Sequence, residues 1–197
     1  MKIVAGRRFT ILFCLTLVAC LTGNPTAAQV RLPATEFLPV SDGTPEQRST
    51  PFGAWIMDLS ADGYVEQEYL VSGQANIYDY VDEAARSAVV EVTAADRPYT
   101  TRILVRRPRT SKAFNGTVYL EVLNPTFGFD VDLIWAFTFR SIIDAGAAYV
   151  GVTSKPVAAE FLRDDWGSTL GKDPLPPRNN SRYADLNFPQ IGQVWDI

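Results

Sequence analysis

The stretch Asn115–Thr153, NGTVYLEVLNPTFGFDVDLIWAFTFRSIIDAGAAYVGVT, decides the fold. Asn115-Gly116 introduces Thr117–Leu123, a β-branched and apolar run interrupted only by Glu121, the pattern of a strand covered on both faces. After the loop Asn124–Phe129, Asp130 is placed to cap a helix running to about Ala145, and Gly146 supplies a left-handed stop. Leu133, Ile134, Trp135, Phe137, Phe139, Ile142 and Ile143 surround that helix almost completely, so it is expected to be buried. Ala148–Thr153 is the next strand. Strand, helix and strand within about 37 residues match the size of a crossover unit, which makes the two strands parallel.

Upstream, Tyr64–Ser72 alternates, with Val65, Gln67, Tyr69 and Val71 on one face and Glu66, Glu68 and Leu70 on the other, as in a half-buried strand. Val89–Thr93 and Tyr99–Arg107 are two more β-type runs, separated by the turn-rich Ala94-Ala95-Asp96-Arg97-Pro98, and are expected to be antiparallel. Arg102, Arg106, Arg107 and Arg109 form the one basic concentration and are expected to be charges that blunt a strand end. Gln29–Asp62 is rich in Pro, Ser, Thr and Gly and suggests a linker or a loosely packed lead-in. Ser154–Asn180, with Pro156, Pro174, Pro176 and Pro177, is expected to be a long loop. A segment that begins helix-like near Phe188 stops at Asp196-Ile197 with no capping glycine or third parallel strand, so the fold is expected to be truncated.

The first residues have the form of a signal peptide. Lys2, Arg7 and Arg8 precede an uncharged apolar run from Phe9 to Leu21, and Thr26-Ala27-Ala28 offers a small-residue cleavage site before Gln29. The run is too short to span a membrane, which takes about 20 apolar residues. Secretion or periplasmic location is expected, with Leu17-Val18-Ala19-Cys20 leaving open a lipoprotein anchored through Cys20. Three segments result: residues 1–28 as signal peptide, 29–62 as lead-in, and 63–197 as a partial α/β domain.

Both cysteines, Cys14 and Cys20, lie in the leader, so a chain cleaved before Gln29 forms no disulfide and depends on its core. A composition 47% hydrophobic and 12% aromatic is sufficient for one. Beyond the leader, 15 basic residues face 22 acidic ones, which disfavours a nucleic-acid partner.

The count of histidine is zero, so no Ser-His-Asp or Cys-His arrangement and no histidine-ligated metal can come from these residues alone. Gly167-Ser168-Thr169-Leu170-Gly171 puts its serine one place too early for a nucleophile elbow and sits in a Pro-rich loop rather than between strand and helix. Asp130 and Asp132 are accounted for by helix capping, and Asp164-Asp165 by solvation, so neither metal nor cofactor is expected. Glu121, inside a strand, needs a partner such as Arg102. The loop Asn124–Gly128 stands at the carboxyl end of a parallel strand, where open α/β sheets place ligands. Its Thr126, Phe127 and Gly128 N–H groups are oxyanion-donor candidates, whereas Pro125 has no N–H; the alternative is a tight turn that needs Gly128.

Glu68–Tyr78, Pro98–Pro108, Asn115–Asn124 and Ala148–Thr153, in that order and spacing, resemble a family of largely uncharacterised exported α/β-hydrolase-domain proteins. The similarity covers about Tyr64–Ile197. It implies the amino-terminal part of an α/β-hydrolase-like sheet, antiparallel strands followed by a parallel β-α-β unit, from a serine hydrolase acting on a small-molecule ester or related acyl bond. It also implies a nucleophile elbow, acid and histidine further along, so this polypeptide alone is expected to be inactive, with no catalytic residue of its own. Only Asn124–Gly128 carries over as the oxyanion-side loop, and it lacks the run of glycines of many lipases and esterases. The alternative is a non-catalytic exported binding domain in which Phe127, Phe129, Trp135 and Trp166 line a ligand surface.

Overall fold

In the computed structural model, residues 32–41, 49–82, 89–165, 180–188 and 190–197 are described. The leader with Cys14 and Cys20, Trp166 and Gly167–Gly171 lie outside them.

The β-branched and aromatic runs pair into one five-stranded sheet of β1 (Ala34–Leu38), β2 (Tyr64–Tyr80), β3 (Val90–Pro108), β4 (Val118–Val122) and β5 (Ala148–Val152), in the order β1-β2-β3-β5-β4. All neighbours are antiparallel except β4 and β5, which run parallel with Val118 opposite Ala148 and Val122 opposite Val152. Helix α1 (Leu133–Asp144) joins the parallel pair, so the expected strand-helix-strand unit is present. Gly146 follows it with φ of 68°, as the left-handed stop required; its N–H bonds the Ile143 carbonyl at 2.9 Å, and a Cβ there would lie 2.7 Å from the Ala113 carbonyl oxygen.

One face of α1 is buried on the sheet through Trp135, Ile142 and Ile143, packed with Tyr64, Tyr149 and Leu59. Burying such side chains contributes ~1.5–3 kcal/mol each. The Tyr64 hydroxyl ties this layer to the turn after α1, donating to the Ala147 carbonyl at 2.8 Å. A second cluster centred on Phe52, Leu70, Tyr99, Leu162 and Phe188 joins β2 and β3 to the segments that follow β5.

Several expectations change. The helix is buried on one side only: Phe137 is 83% exposed and Ile134 48%, because the sheet supplies a partner for a single face among the described residues. For the same reason β4 exposes Val118, Leu120 and Val122, and among the described residues it pairs with β5 alone. The two runs around Ala94–Pro98 are one 19-residue strand, with Asp96 at φ of 51° and register shifts opposite it at Ala75, Ile77 and Tyr78, so a bulge absorbs what sequence suggested was a turn. Within the expected lead-in, residues 34–38 form β1 and Phe52 and Leu59 are buried. Pro156 opens a short helix, α2 (Pro156–Glu160), inside the expected loop, at the position where its missing N–H costs nothing. The segment after Phe188 forms a 3₁₀ turn, Ile191–Trp195.

The arginines depart furthest. Arg102 and Arg106 are 1% and 0% exposed and point from β3 into the interior rather than blunting a strand end. They are held there because the inward face of β2 carries Glu66 and Glu68.

Candidate functional site

The parallel strands bring two loops together at their carboxyl ends: Asn124–Val131 after β4, and Thr153–Lys155 after β5. The first is pinched into a closed loop by paired hydrogen bonds between Asn124 and Val131, both 3.0 Å. Inside it, the Gly128 N–H donates to the Pro125 carbonyl at 2.9 Å, with Gly128 at φ of 85°, so the glycine closes a turn. The Asn124 Oδ1 accepts from the Thr126 N–H at 2.9 Å and from the Thr126 hydroxyl at 2.5 Å. Of the three donor candidates, Thr126 and Gly128 therefore spend their N–H groups inside the loop. The Phe127 N–H has no acceptor among the described residues, and its side chain is 72% exposed at the loop tip.

Phe127 is the outer member of an aromatic ladder. Its ring stacks on Phe129 at 6.1 Å, and Phe129 meets Phe161 at 5.5 Å and the buried Phe52 at 5.9 Å. The tip thus presents an apolar surface beside a free amide, fixed from below by packing.

Asp130 anchors the loop. Its carboxylate accepts from the Thr153 hydroxyl, which in turn accepts from Arg102 Nε at 3.1 Å; Arg102 Nε stands 3.9 Å from the Asp130 carboxylate. Asp130 is consequently not the helix cap expected from sequence. Burial pushes its carboxyl above the ordinary range, against the pull of the Arg102 charge and the Thr153 hydrogen bond. Its second oxygen and the Ser154 hydroxyl are buried without a hydrogen-bond partner among the described residues.

Arg102 continues the network inward. It donates to Glu68 at 2.8 Å and to the Phe52 carbonyl at 3.2 Å; Glu68 also receives Arg182 at 2.6 Å and the Tyr183 hydroxyl at 2.9 Å. Burial raises the Tyr183 hydroxyl to about 12, so it remains a donor at neutral pH. This lattice is a support for the loop: breaking a buried ion pair costs about 3–5 kcal/mol because the remaining charge is left unpaired.

Glu121 takes a different partner from the expected Arg102. Its carboxylate accepts from the Ile134 and Trp135 N–H groups at 3.0 and 3.3 Å and from the Tyr149 hydroxyl at 2.7 Å. It therefore caps α1 from the neighbouring strand, while Asp132, at the capping position, turns instead to Arg106 at 2.5 Å. Arg106 sits over the rings of Trp135, Tyr149 and Trp55 at 4.7, 5.4 and 5.6 Å and pairs with Glu66 at 2.7 Å. Sequence reasoning passed over Glu68, Thr153 and Arg182, whose partners are 34 to 114 positions away.

Among the described residues, no group of three or more acidic, cysteine or histidine side chains is placed to hold a metal, and no helix is long and apolar enough to cross a membrane. No curated protein and no solved structure matches the chain. A family model described as alpha/beta hydrolase domain matches residues 33–197. That span contains the whole sheet, the Asn124–Gly128 loop and the buried arginine network. The chain belongs to the alpha/beta hydrolase domain family.

Proposed function

We propose that this chain is the amino-terminal portion of an exported serine hydrolase acting on ester or related acyl bonds, and that it contributes the oxyanion side of the site without the nucleophile, acid or base. The observation that carries the reading is the Phe127 N–H, left free at the tip of a closed loop at the carboxyl end of β4. One preorganised N–H aimed at a developing oxyanion contributes about 3–4 kcal/mol of transition-state stabilisation, and the anchored Asn124–Asp130 loop meets the rigidity that this requires. The chain's lack of histidine supports the division of roles, because a base for a serine has to come from other residues. The exposed apolar edge of β4 supports it too, as a place for a further strand to pair.

The substrate is a small ester or acyl compound. Cleavage after Ala28 delivers the protein to the periplasm or the exterior, with a lipid anchor at Cys20 as the alternative.

A serine-directed fluorophosphonate probe tests the division. The 197-residue chain is expected to remain unlabelled, whereas the product of the complete reading frame is expected to be labelled on a serine outside these residues. Labelling of a serine within Met1–Ile197, or an unlabelled complete product, would refute the reading.

A further inference from the structure

The turn that leads into β4 holds a reactive arrangement of its own. Asn115-Gly116 is the one Asn-Gly pair in the sequence. Asn24 and Asn124 precede prolines, which have no N–H, and the other asparagines precede residues that carry a side chain. Asn115, Gly116 and Thr117 are all exposed.

Two bonds fix the Asn115 carboxamide. Its Oδ1 accepts from the Thr117 N–H at 2.7 Å, and its Nδ2 donates to the Ala145 carbonyl at 2.7 Å. An N–H only donates and a carbonyl only accepts, so the partners assign the two ends of the amide. The first bond folds the side chain back along its own backbone, past the intervening Gly116 nitrogen. The Gly116 N–H has no acceptor among the described residues. Gly116 has φ of 91°, and apart from its chain neighbours no atom lies within 4 Å of where a Cβ would stand, so water and hydroxide can approach.

From this arrangement we infer that Asn115 is a self-modification site, at which the Gly116 nitrogen displaces the side-chain amide and the residue becomes aspartate or isoaspartate. Hydroxide takes the Gly116 N–H proton, and the nitrogen bonds to the Asn115 Cγ. The Cγ–Nδ2 bond breaks, and the departing nitrogen takes a proton from water and leaves as ammonia. The Thr117 N–H stands at the oxygen on which negative charge develops. Water then opens the five-membered imide. Attack at Cγ leaves aspartate; attack at the main-chain carbonyl leaves isoaspartate, whose backbone runs through the former side chain. The net change is amide plus water to carboxylic acid plus ammonia, with water as the only co-reactant.

The position gives the product a structural effect. The Asn115 N–H bonds the Gly146 carbonyl and the Ala148 N–H bonds the Thr117 carbonyl, both at 2.9 Å, so the site is tied on either side to the turn from α1 into β5. Ala145 is the cap residue at the carboxyl end of α1. A carboxylate at position 115 cannot donate to the Ala145 carbonyl, and it adds negative charge at the negative end of the helix dipole. Isoaspartate also inserts a backbone atom between the two flanking bonds. Conversion therefore loosens the entry to β4. The inference is independent of the proposed ester chemistry, because it shares no residue with the Asn124–Asp130 loop.

The 197-residue chain, incubated folded at neutral and at mildly alkaline pH, tests it by peptide mass spectrometry. In the tryptic peptide Ala113–Arg140, the mass gain of amide-to-acid conversion is expected at Asn115 and not at Asn124. Conversion is expected to run faster at the higher pH and at least about tenfold ahead of Asn76 and Asn187. Asn115→Asp, which places the carboxylate directly, is expected to melt about 2–4 °C below the wild-type chain. An Asn115 still unconverted after a period that fully converts a synthetic peptide of residues 112–120 would overturn the inference. So would equal conversion at Asn76 or Asn187, or an Asn115→Asp variant that melts with the wild type.

Discussion

The Tyr149 hydroxyl donates to the Glu121 carboxylate across 2.7 Å, bridging the two parallel strands at a point where the same carboxylate caps α1. A strand residue thus performs the capping that sequence rules assign to the residue before the helix. Hydrogen bonds to a charged group contribute about 1.5–3 kcal/mol each. Tyr149→Phe is therefore expected to cost about 2 kcal/mol and Glu121→Ala about 3–4 kcal/mol, since the latter strands two helix N–H groups as well. The double variant is expected to fall short of the sum by about 1 kcal/mol or more in denaturant unfolding; strict additivity would mean the two groups do not act together.

Asp130 links stability to pH. Its buried carboxyl titrates above its unfolded value of 3.8, so the folded state holds the proton more tightly than the unfolded state does. The stability this confers is full below the unfolded pKa and is lost as pH rises through the folded one. Against an Asp130→Asn reference, the wild-type chain is expected to gain stability as pH is lowered from neutrality toward 3.8. Thermal melts of both proteins across that range check the sign; a wild-type chain that loses stability relative to the variant on acidification would contradict it.

Gly146 and Gly128 both adopt left-handed backbone, at φ of 68° and 85°, but only the first is crowded. A Cβ at 146 would lie 2.7 Å from the Ala113 carbonyl oxygen, whereas at 128 nothing comes within 4 Å. Gly128→Ala is expected to cost about 1–2 kcal/mol from backbone strain alone. Gly146→Ala is expected to cost more, with an additional drop in Tm of ~2–4 °C for each further kcal/mol. Equal losses in a thermal scan would show that the turn from α1 into β5 yields easily.

The open edge of β4 carries a cost in solution. Leu120 is 65% exposed and Val122 56%, on a strand that pairs on one side only among the described residues. Such an edge templates association, and a charged side chain suppresses it. The 197-residue chain is expected to associate with rising concentration, and Leu120→Lys to restore a larger monomer fraction by light scattering. A monodisperse wild-type chain would remove the argument that this edge accepts a further strand.

The parallel unit was legible in the sequence because its signals are local. The apolar run Thr117–Leu123, the helical spacing of Trp135, Phe139, Ile142 and Ile143, and the stop at Gly146 each act within a few residues. The buried arginines were not legible for the opposite reason. Arg102 and Arg106 look like surface charge until Glu68, Glu66, Asp130 and Asp132 are brought to them from other elements. Strand β3 was divided by its turn-forming residues, since a bulge and a turn draw on the same vocabulary. The candidate loop was placed correctly at the end of β4, but its hydrogen bonds, which leave Phe127 as the free donor, depend on the Asn124 side chain folding back on Thr126.

Hydrolysis of p-nitrophenyl acetate, by the 197-residue chain and by the product of the complete reading frame, tests the proposed division of the active site most directly. The chain alone is expected to run at the buffer rate, and the complete product to turn over, with Asn124→Ala lowering its kcat by about tenfold or more at little change in KM as the turn that positions the Phe127 N–H loses its Asn124–Thr126 bonds. Turnover by the 197 residues alone, or a complete product that shows none, would contradict the proposal that these residues furnish one side of a serine hydrolase site.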